Sequence, residues 1–172
     1  MNSQRSLSDE SLRLITHFEP GDIGEIIALH GKHYYEEFGF GLGFEKYVAR
    51  TFAEFVCQFQ ENTDRIWIAK AGNEVKGCIA LVHRDAQTAQ LRYFITSPDY
   101  RGKGLGKRLF LLCMDRIRIG GYSQAYLWTS ANLTTAASLY LKAGFRKTEE
   151  RKSTNFGVPM LEQKYTWQPT GI

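Results

Sequence analysis

The sequence predicts a mixed α/β layer, a central sheet of about seven strands with four helices on its two faces. Three observations carry this. Residues 65–96 hold three short strand-like segments separated by turn signals, an antiparallel meander. A glycine-rich stretch at 101–106 then opens an amphipathic helix, so the next strand is reached by a helical crossover and runs parallel to the one before the loop. Residues 145–151 and 160–167 alternate as two closing strands around Asn155-Phe156-Gly157.

Taken in order, residues 1–10 are polar and read as a disordered tail, and 11–168 as one domain. Leu12 to Phe18 alternates as a first strand, broken by Pro20-Gly21. Asp22 reads as the N-cap of the first helix, with Glu25 as its capping-box partner. Ile23, Ile26, Ile27, His30, Tyr34 and Phe38 keep helical spacing to Phe38; Gly39, Gly41 and Gly43 make a loose loop. Phe44, Tyr47, Val48, Phe52, Phe55, Val56 and Phe59 give a second helix whose aromatic stripe reads as core. Strands follow at 65–70, 75–83 and 90–96, with Gly77 as a kink. In the last of these, Leu91, Tyr93 and Ile95 share one face, and Arg92 and Phe94 the other. A helix from Leu105 ends at Gly120-Gly121; a strand at 124–129 and a helix at 134–143 complete the series.

Composition excludes several classes. No apolar run approaches the roughly 18 residues of a membrane span. The start lacks the apolar region of a signal peptide, which argues for a cytoplasmic protein. Cys57, Cys78 and Cys113 are an odd set inside apolar patterns and read as reduced core or near-core thiols. A net charge of +4 suits an anionic ligand but is too weak and dispersed for nucleic acid.

The chemistry concentrates at Arg101-Gly102-Lys103-Gly104-Leu105-Gly106. Alternate glycines let backbone N–H groups crowd toward one point, and the first free N–H groups of the helix face the same space, which makes an anion nest. Lys107 and Arg108 stand in the helix's first turn, where the dipole disfavours cations; a bound phosphate reverses that cost. The plain alternative is an ordinary strand-to-helix connection with solvated lysines. Neither the dinucleotide fingerprint nor the P-loop pattern is met: Leu109 and Arg108 stand where they need glycine and Ser/Thr. His30, His33 and Glu37 can share a helix face, but no fourth ligand or zinc-type spacing accompanies them, and no metal is assigned.

Arg101-x-x-Gly104-x-Gly106 resembles the pyrophosphate-binding signature R/Q-x-x-G-x-G/A of the GNAT superfamily of N-acetyltransferases, and Thr96 to Tyr100 looks like its V-x-P-x-Y lead-in. Ala136 to Phe145 resembles its second signature, A-x-x-L-Y-x-x-x-G-F, in the family's order and spacing. The segments HYYEEFGF, LWTS and NFG are similar to acetyltransferase domains fused to MarR-type regulators in bacteria.

The resemblance implies a GNAT-like fold that takes acetyl-CoA as co-substrate. It implies that the strands on either side of the crossover splay apart. Backbone groups of Phe94, Ile95 and Thr96 would hold the pantetheine. N–H groups of Arg101, Gly102, Lys103, Gly104, Leu105, Gly106 and Lys107 would hold the pyrophosphate. Tyr140 matches the tyrosine that protonates the departing thiolate. The family's asparagine position is occupied by Leu133, with Asn132 beside it as the cofactor-binding candidate.

The general base stays open: the strand carries Arg92 and no carboxylate, and Glu36, Glu37 and His83 are candidates by type only. A covalent route through Cys113 is disfavoured, because a thiol on an apolar helix face stays protonated. Tyr34, Glu37, Trp128 and Phe156 are candidates for the acceptor pocket. The implied reaction moves acetyl to a primary amine of a small molecule, amino acid or peptide by direct attack in a ternary complex; a homodimer is compatible with it. The alternative is a non-catalytic sensor that binds acetyl-CoA or another phosphate ligand.

Overall fold

The structure is a computed structural model, and it describes residues 12–169. The expected tail at 1–10 lies outside the described residues. Seven strands form one sheet in the order β1-β2-β3-β4-β5-β7-β6. They are β1 (Arg13–Ile15), β2 (Arg65–Ala71), β3 (Glu74–His83), β4 (Thr88–Thr96), β5 (Gln124–Ser130), β6 (Arg146–Ser153) and β7 (Met160–Trp167). β2 to β4 form the expected meander, and β4 and β5 are the parallel pair. β7 lies between β5 and β6, and β6 is left as an exposed edge whose dense charge, five ionic residues from Arg146 to Arg151, discourages pairing with another chain.

Helices cover both faces. α1 (Asp22–Phe38) and α2 (Leu42–Gln58) place Ile26, Phe52 and Phe55 against Ile66, Ile68, Cys78, Tyr93 and Ile95. α3 (Leu105–Ile119) and α4 (Thr134–Lys142) place Leu109, Phe110, Met114, Ile117 and Tyr140 against Trp67, Ile79, Leu81, Leu91 and Leu127. Gly77 is where α3 comes closest to the sheet: a Cβ there would lie 2.9 Å from the Ile95 carbonyl oxygen and 3.3 Å from Leu105 and Leu109. The kink expected at this glycine coincides with a register shift between β2 and β3, where Ala69 pairs with Gly77 but Lys70 with Val75.

Strict alternation in β4 does not hold. Ala80 of β3 pairs with Arg92, but Cys78 pairs with Ile95, so the register shifts between them, and Tyr93 takes a positive φ of 53°. This bulge sends Leu91 to the α3 face and Tyr93 and Ile95 to the α1/α2 face. Arg92 and Phe94, expected on one face, are thereby separated: Arg92 bonds to Tyr47 of α2, and Phe94 packs with Phe110 and Tyr140.

Three smaller expectations are corrected. Gly21, with φ 101°, is the N-cap of α1, and Asp22 is its first residue. Asp22 instead binds Lys70 Nζ at 2.6 Å and accepts the Glu19 N–H, while Glu25 accepts the Val75 N–H. α2 begins at Leu42, so the glycine loop is shorter than expected and Gly43 is helical. Cys57 is exposed on α2, whereas Cys78 and Cys113 are buried.

Lys70 is a cation with 3% of its side chain exposed, held by Asp22 at 1% and Glu19 at 29%. These hydrogen bonds raise its pKa, and with Arg13 they hold Glu19 down to about 2. Removing one member leaves Asp22 charged and buried without a counter-ion. Lys70→Met is therefore expected to destabilise the protein by roughly 3 kcal/mol. Urea unfolding at neutral pH checks this; a loss no larger than that of an exposed lysine would show that the pair is idle.

Candidate functional site

β4 and β5 pair over only three residues, Thr88 to Gln90 with Gln124 to Tyr126. From Gln90 and Tyr126 onward they part, although β4 runs on to Thr96 and β5 to Ser130. The gap is a cleft of about 1580 Å³, lined on one side by Leu91 to Thr96 and on the other by Leu127 to Ser130. Along its β4 side the backbone is paired only with β3, so its other edge offers N–H and C=O groups to an extended ligand.

The cleft leads into the glycine-rich loop. Gly102 and Gly104 have φ of 70° and 85°, values open to glycine and costly elsewhere. Gly104 is the N-cap of α3. Among the described residues, no N–H from Gly102 to Lys107 has a backbone acceptor in hydrogen-bond geometry. These are the donors of an anion nest. The Arg101 N–H is not among them, since it donates to Pro98 at 3.2 Å. Arg101 offers its guanidinium, which binds Glu37 of α1 at 2.6 Å and reaches the Thr96 carbonyl at 3.3 Å.

Tyr140 projects from α4 to the wall of the cleft, 5% exposed, among the rings of Phe94, Phe110, Phe145 and Tyr165. Burial pushes its hydroxyl well above the ordinary tyrosine range, so it remains a proton donor at any working pH.

The residues matched by the acetyltransferase (GNAT) family model are 32–145. The chain belongs to that family. Curated relatives include N-acetyltransferase 8F1 of Rattus norvegicus, 35% identical over 58% of this chain and 49% of the relative. They also include the N-acetyltransferase YjgM of Escherichia coli, 34% identical over 46% of this chain and 49% of the relative, and N-acetylaspartate synthetase of Danio rerio, 33% identical over 49% and 30%. The chain thus matches about half the length, or less, of these relatives. An acetyltransferase structure from Staphylococcus aureus Mu50 superposes with TM-score 0.75 at 16% identity, over 93% of this chain and all of that one. A GNAT family acetyltransferase from Elizabethkingia anophelis, solved with acetyl-CoA bound, gives TM-score 0.63 at 17% identity over 91% and 97%.

Within this GNAT fold most of the sequence-derived candidates meet at one cleft. Phe94, Ile95, Thr96, Arg101, Gly102, Gly104, Gly106, Lys107, Asn132 and Tyr140 line it, as do Tyr34, Glu37, Trp128 and Phe156. Two do not. Leu105 turns its side chain into the core, and Lys103 folds over the Tyr100 ring at 5.2 Å; only their backbone N–H groups face the nest. Asn132 sits in the β5–α4 turn, its N–H on Ser130 Oγ at 3.4 Å.

Two candidate bases drop out. Glu36 lies outside the cleft beside His33, and His83 is bound to the Tyr122 hydroxyl at 2.8 Å, also outside it. Burial raises the Cys113 thiol, in keeping with an inert role. The sequence reading missed Tyr47, Glu162 and Arg151 as lining residues. Tyr47 stood inside an aromatic stripe that periodicity assigned to core, and of the closing hairpin, expected to help wall the acceptor pocket, only Phe156 was singled out.

His30 also borders the cleft, buried, with Nδ1 2.8 Å from the Ile26 carbonyl. Among the described residues no group of three or more His, Cys, Asp or Glu could hold a metal. Burial lowers the His30 pKa to about 4. The unfolded chain takes up this proton near pH 6.5 and the folded chain only near 4, so folding stability falls as pH drops through that window. The expected loss is on the order of 3 kcal/mol. Denaturant midpoints from pH 7 to 4 check it, with His30→Gln expected to flatten this part of the profile. A flat wild-type profile would contradict the neutral, buried assignment.

Proposed function

We propose that residues 11–168 act as one unit that transfers the acetyl group of acetyl-CoA to a primary amine, by direct attack in a ternary complex. One observation carries the reading: the free edge of β4, exposed by the parting of β5, runs directly into the N–H nest at 102–107. An extended arm along the edge and a pyrophosphate in the nest need this continuity. A cleft of about 1580 Å³ has room for both and for an acceptor.

When bound, acetyl-CoA supplies an activated thioester carbonyl. The rest is the chain's work. Unpaired backbone groups of Phe94 to Thr96 align the arm, and a β4 N–H directed at the carbonyl oxygen stabilises the developing negative charge. Nest N–H groups and the Arg101 guanidinium neutralise the phosphates, which also relieves the cations of the first turn of α3. The amine lone pair attacks the carbonyl carbon, the carbon–sulfur bond breaks, and the departing sulfur takes the Tyr140 hydroxyl proton. The nitrogen loses its proton to solvent, and Tyr140 regains one from solvent before the next turnover. Relatives named for N-acetyl transfer, one of them for N-acetylaspartate, support nitrogen as the acceptor atom.

Acetyl-CoA is expected to stabilise the protein by about 2.7 kcal/mol at a hundred times its Kd, with ATP and NAD inert. Thermal-shift titration reads this, and stabilisation by ATP or NAD in its place would overturn the loop assignment. Tyr140→Phe is expected to lower kcat by about 10²-fold without abolishing turnover, because a thiolate is a fair leaving group. Raised by burial, Tyr140 should leave no alkaline limb in the wild-type rate up to pH 10. Thiol-release kinetics check both. Acetyl-CoA binding with no thiol release for any amine would favour the sensor alternative.

A further inference from the structure

The charges in the cleft are unevenly matched. Its two carboxylates are both taken: Glu37 is bound to Arg101 at 2.6 Å, and buried Glu162 to Arg151. Of the three arginines that line it, only Arg92 has no carboxylate partner among the described residues. Its guanidinium lies 4.7 Å from the centre of the Tyr93 ring, and one Nη donates to the Tyr47 hydroxyl at 3.1 Å. A guanidinium has five donors in a planar fork that matches a carboxylate, and most of this fork is unused.

Its position is set by the bulge. Arg92 stands two residues before Phe94 on the free edge of β4, about 7 Å along the strand, so it borders the space an acceptor must enter. That end of the cleft is walled by Tyr34, Phe40, Phe44, Tyr47 and Phe156, whose rings pack at 4.5 to 5.6 Å. Lys107 of α3 and Lys142 of α4 also line the cleft without a carboxylate partner among the described residues. Arg92, however, is the cation bonded to the aromatic wall through Tyr47. An apolar wall with such a cation suits an acceptor with an apolar body and a negative group. It does not suit a polyamine, which would need free carboxylates.

We propose that Arg92, steadied by Tyr47, anchors the carboxylate of the acceptor, and that the acceptor is an amino acid or related amine that carries a carboxylate and an apolar side chain. The proposal rests on the acetyl-transfer reading above. Arg92 acts here as a specificity residue: it holds the acceptor at one end while the amine faces the thioester at the other.

The test compares amino acids with their carboxamides, phenylalanine and phenylalaninamide first, in thiol-release kinetics corrected for the fraction of free amine. The wild type is expected to favour the carboxylate by about tenfold to a hundredfold in kcat/KM, mostly through KM. Arg92→Gln is expected to collapse that ratio to near one. Arg92→Lys, which keeps the charge but loses the fork, should fall between, and it serves if the glutamine variant folds poorly. Acetyl-CoA stabilisation should persist in each variant. A wild type that prefers the amides, or a ratio that survives Arg92→Gln, would overturn the anchor while leaving acetyl transfer standing. Absence of thiol release with every amine tried would remove the transfer reading and the anchor with it.

Discussion

The site depends on the bulge in β4. A regular strand would continue its parallel pairing with β5, satisfy its own edge and leave no cleft. Placing two successive residues, Tyr93 and Phe94, against one partner position, Ile79, bends the strand, and the ladder with β5 ends at Gln90. The conformation is costly, since a positive φ at a tyrosine is strained by about 1–3 kcal/mol. It persists because both sides hold it: Tyr93 packs edge-on against Phe52 at 4.7 Å, and Phe94 stacks on Phe110 across the sheet. Strain in one residue is thus offset by two hydrophobic layers, and an unpaired backbone edge is exposed.

That edge would be a hazard in open solvent, where unpaired strands template aggregation. Here it lies inside a cleft closed at one end by aromatic rings and at the other by the glycine loop. The loop has its own tension. Lys107 and Arg108 oppose the dipole of α3, and the N–H groups from Gly102 to Lys107 go without backbone acceptors. Both penalties share a sign, and one anion removes both. Arg101, held meanwhile by Glu37, keeps its charge compensated until such an anion arrives.

Much of this was legible in the chain. β7 begins and ends where alternation places it, and α1 ends at Phe38 as the spacing requires. The anion loop and the Tyr140 segment were readable because each depends on local chemistry: glycines for positive φ, and a tyrosine on one helix face. What was not legible depends on partners far away in sequence. Lys70 of β2 takes Asp22 from its expected cap, a choice no capping rule can see. The bulge was hidden because Leu91 to Ile95 alternates perfectly in hydrophobicity, and only contact with α2 and α3 shows that the alternation is broken. Tyr47 looked like core because its spacing was helical, yet the stripe outruns the sheet beneath it and its end faces the cleft.

Burial also decides the chemistry at Tyr140. A tyrosine beside a cleft could serve as acid or base according to its pKa. The rings around it remove water and stabilise the neutral form, so loss of its proton becomes harder and the hydroxyl is a donor only. Such a group can hydrogen-bond the leaving sulfur and pass it a proton as charge builds there, but it cannot first deprotonate an amine. The two carboxylates in reach are bound to arginines, and His30 is held as a weak base by the same kind of burial. The cleft therefore contains one placed acid and no placed base of ordinary strength. It demands an amine that arrives with its lone pair already free, and it favours turnover at a pH where that fraction of the amine is appreciable.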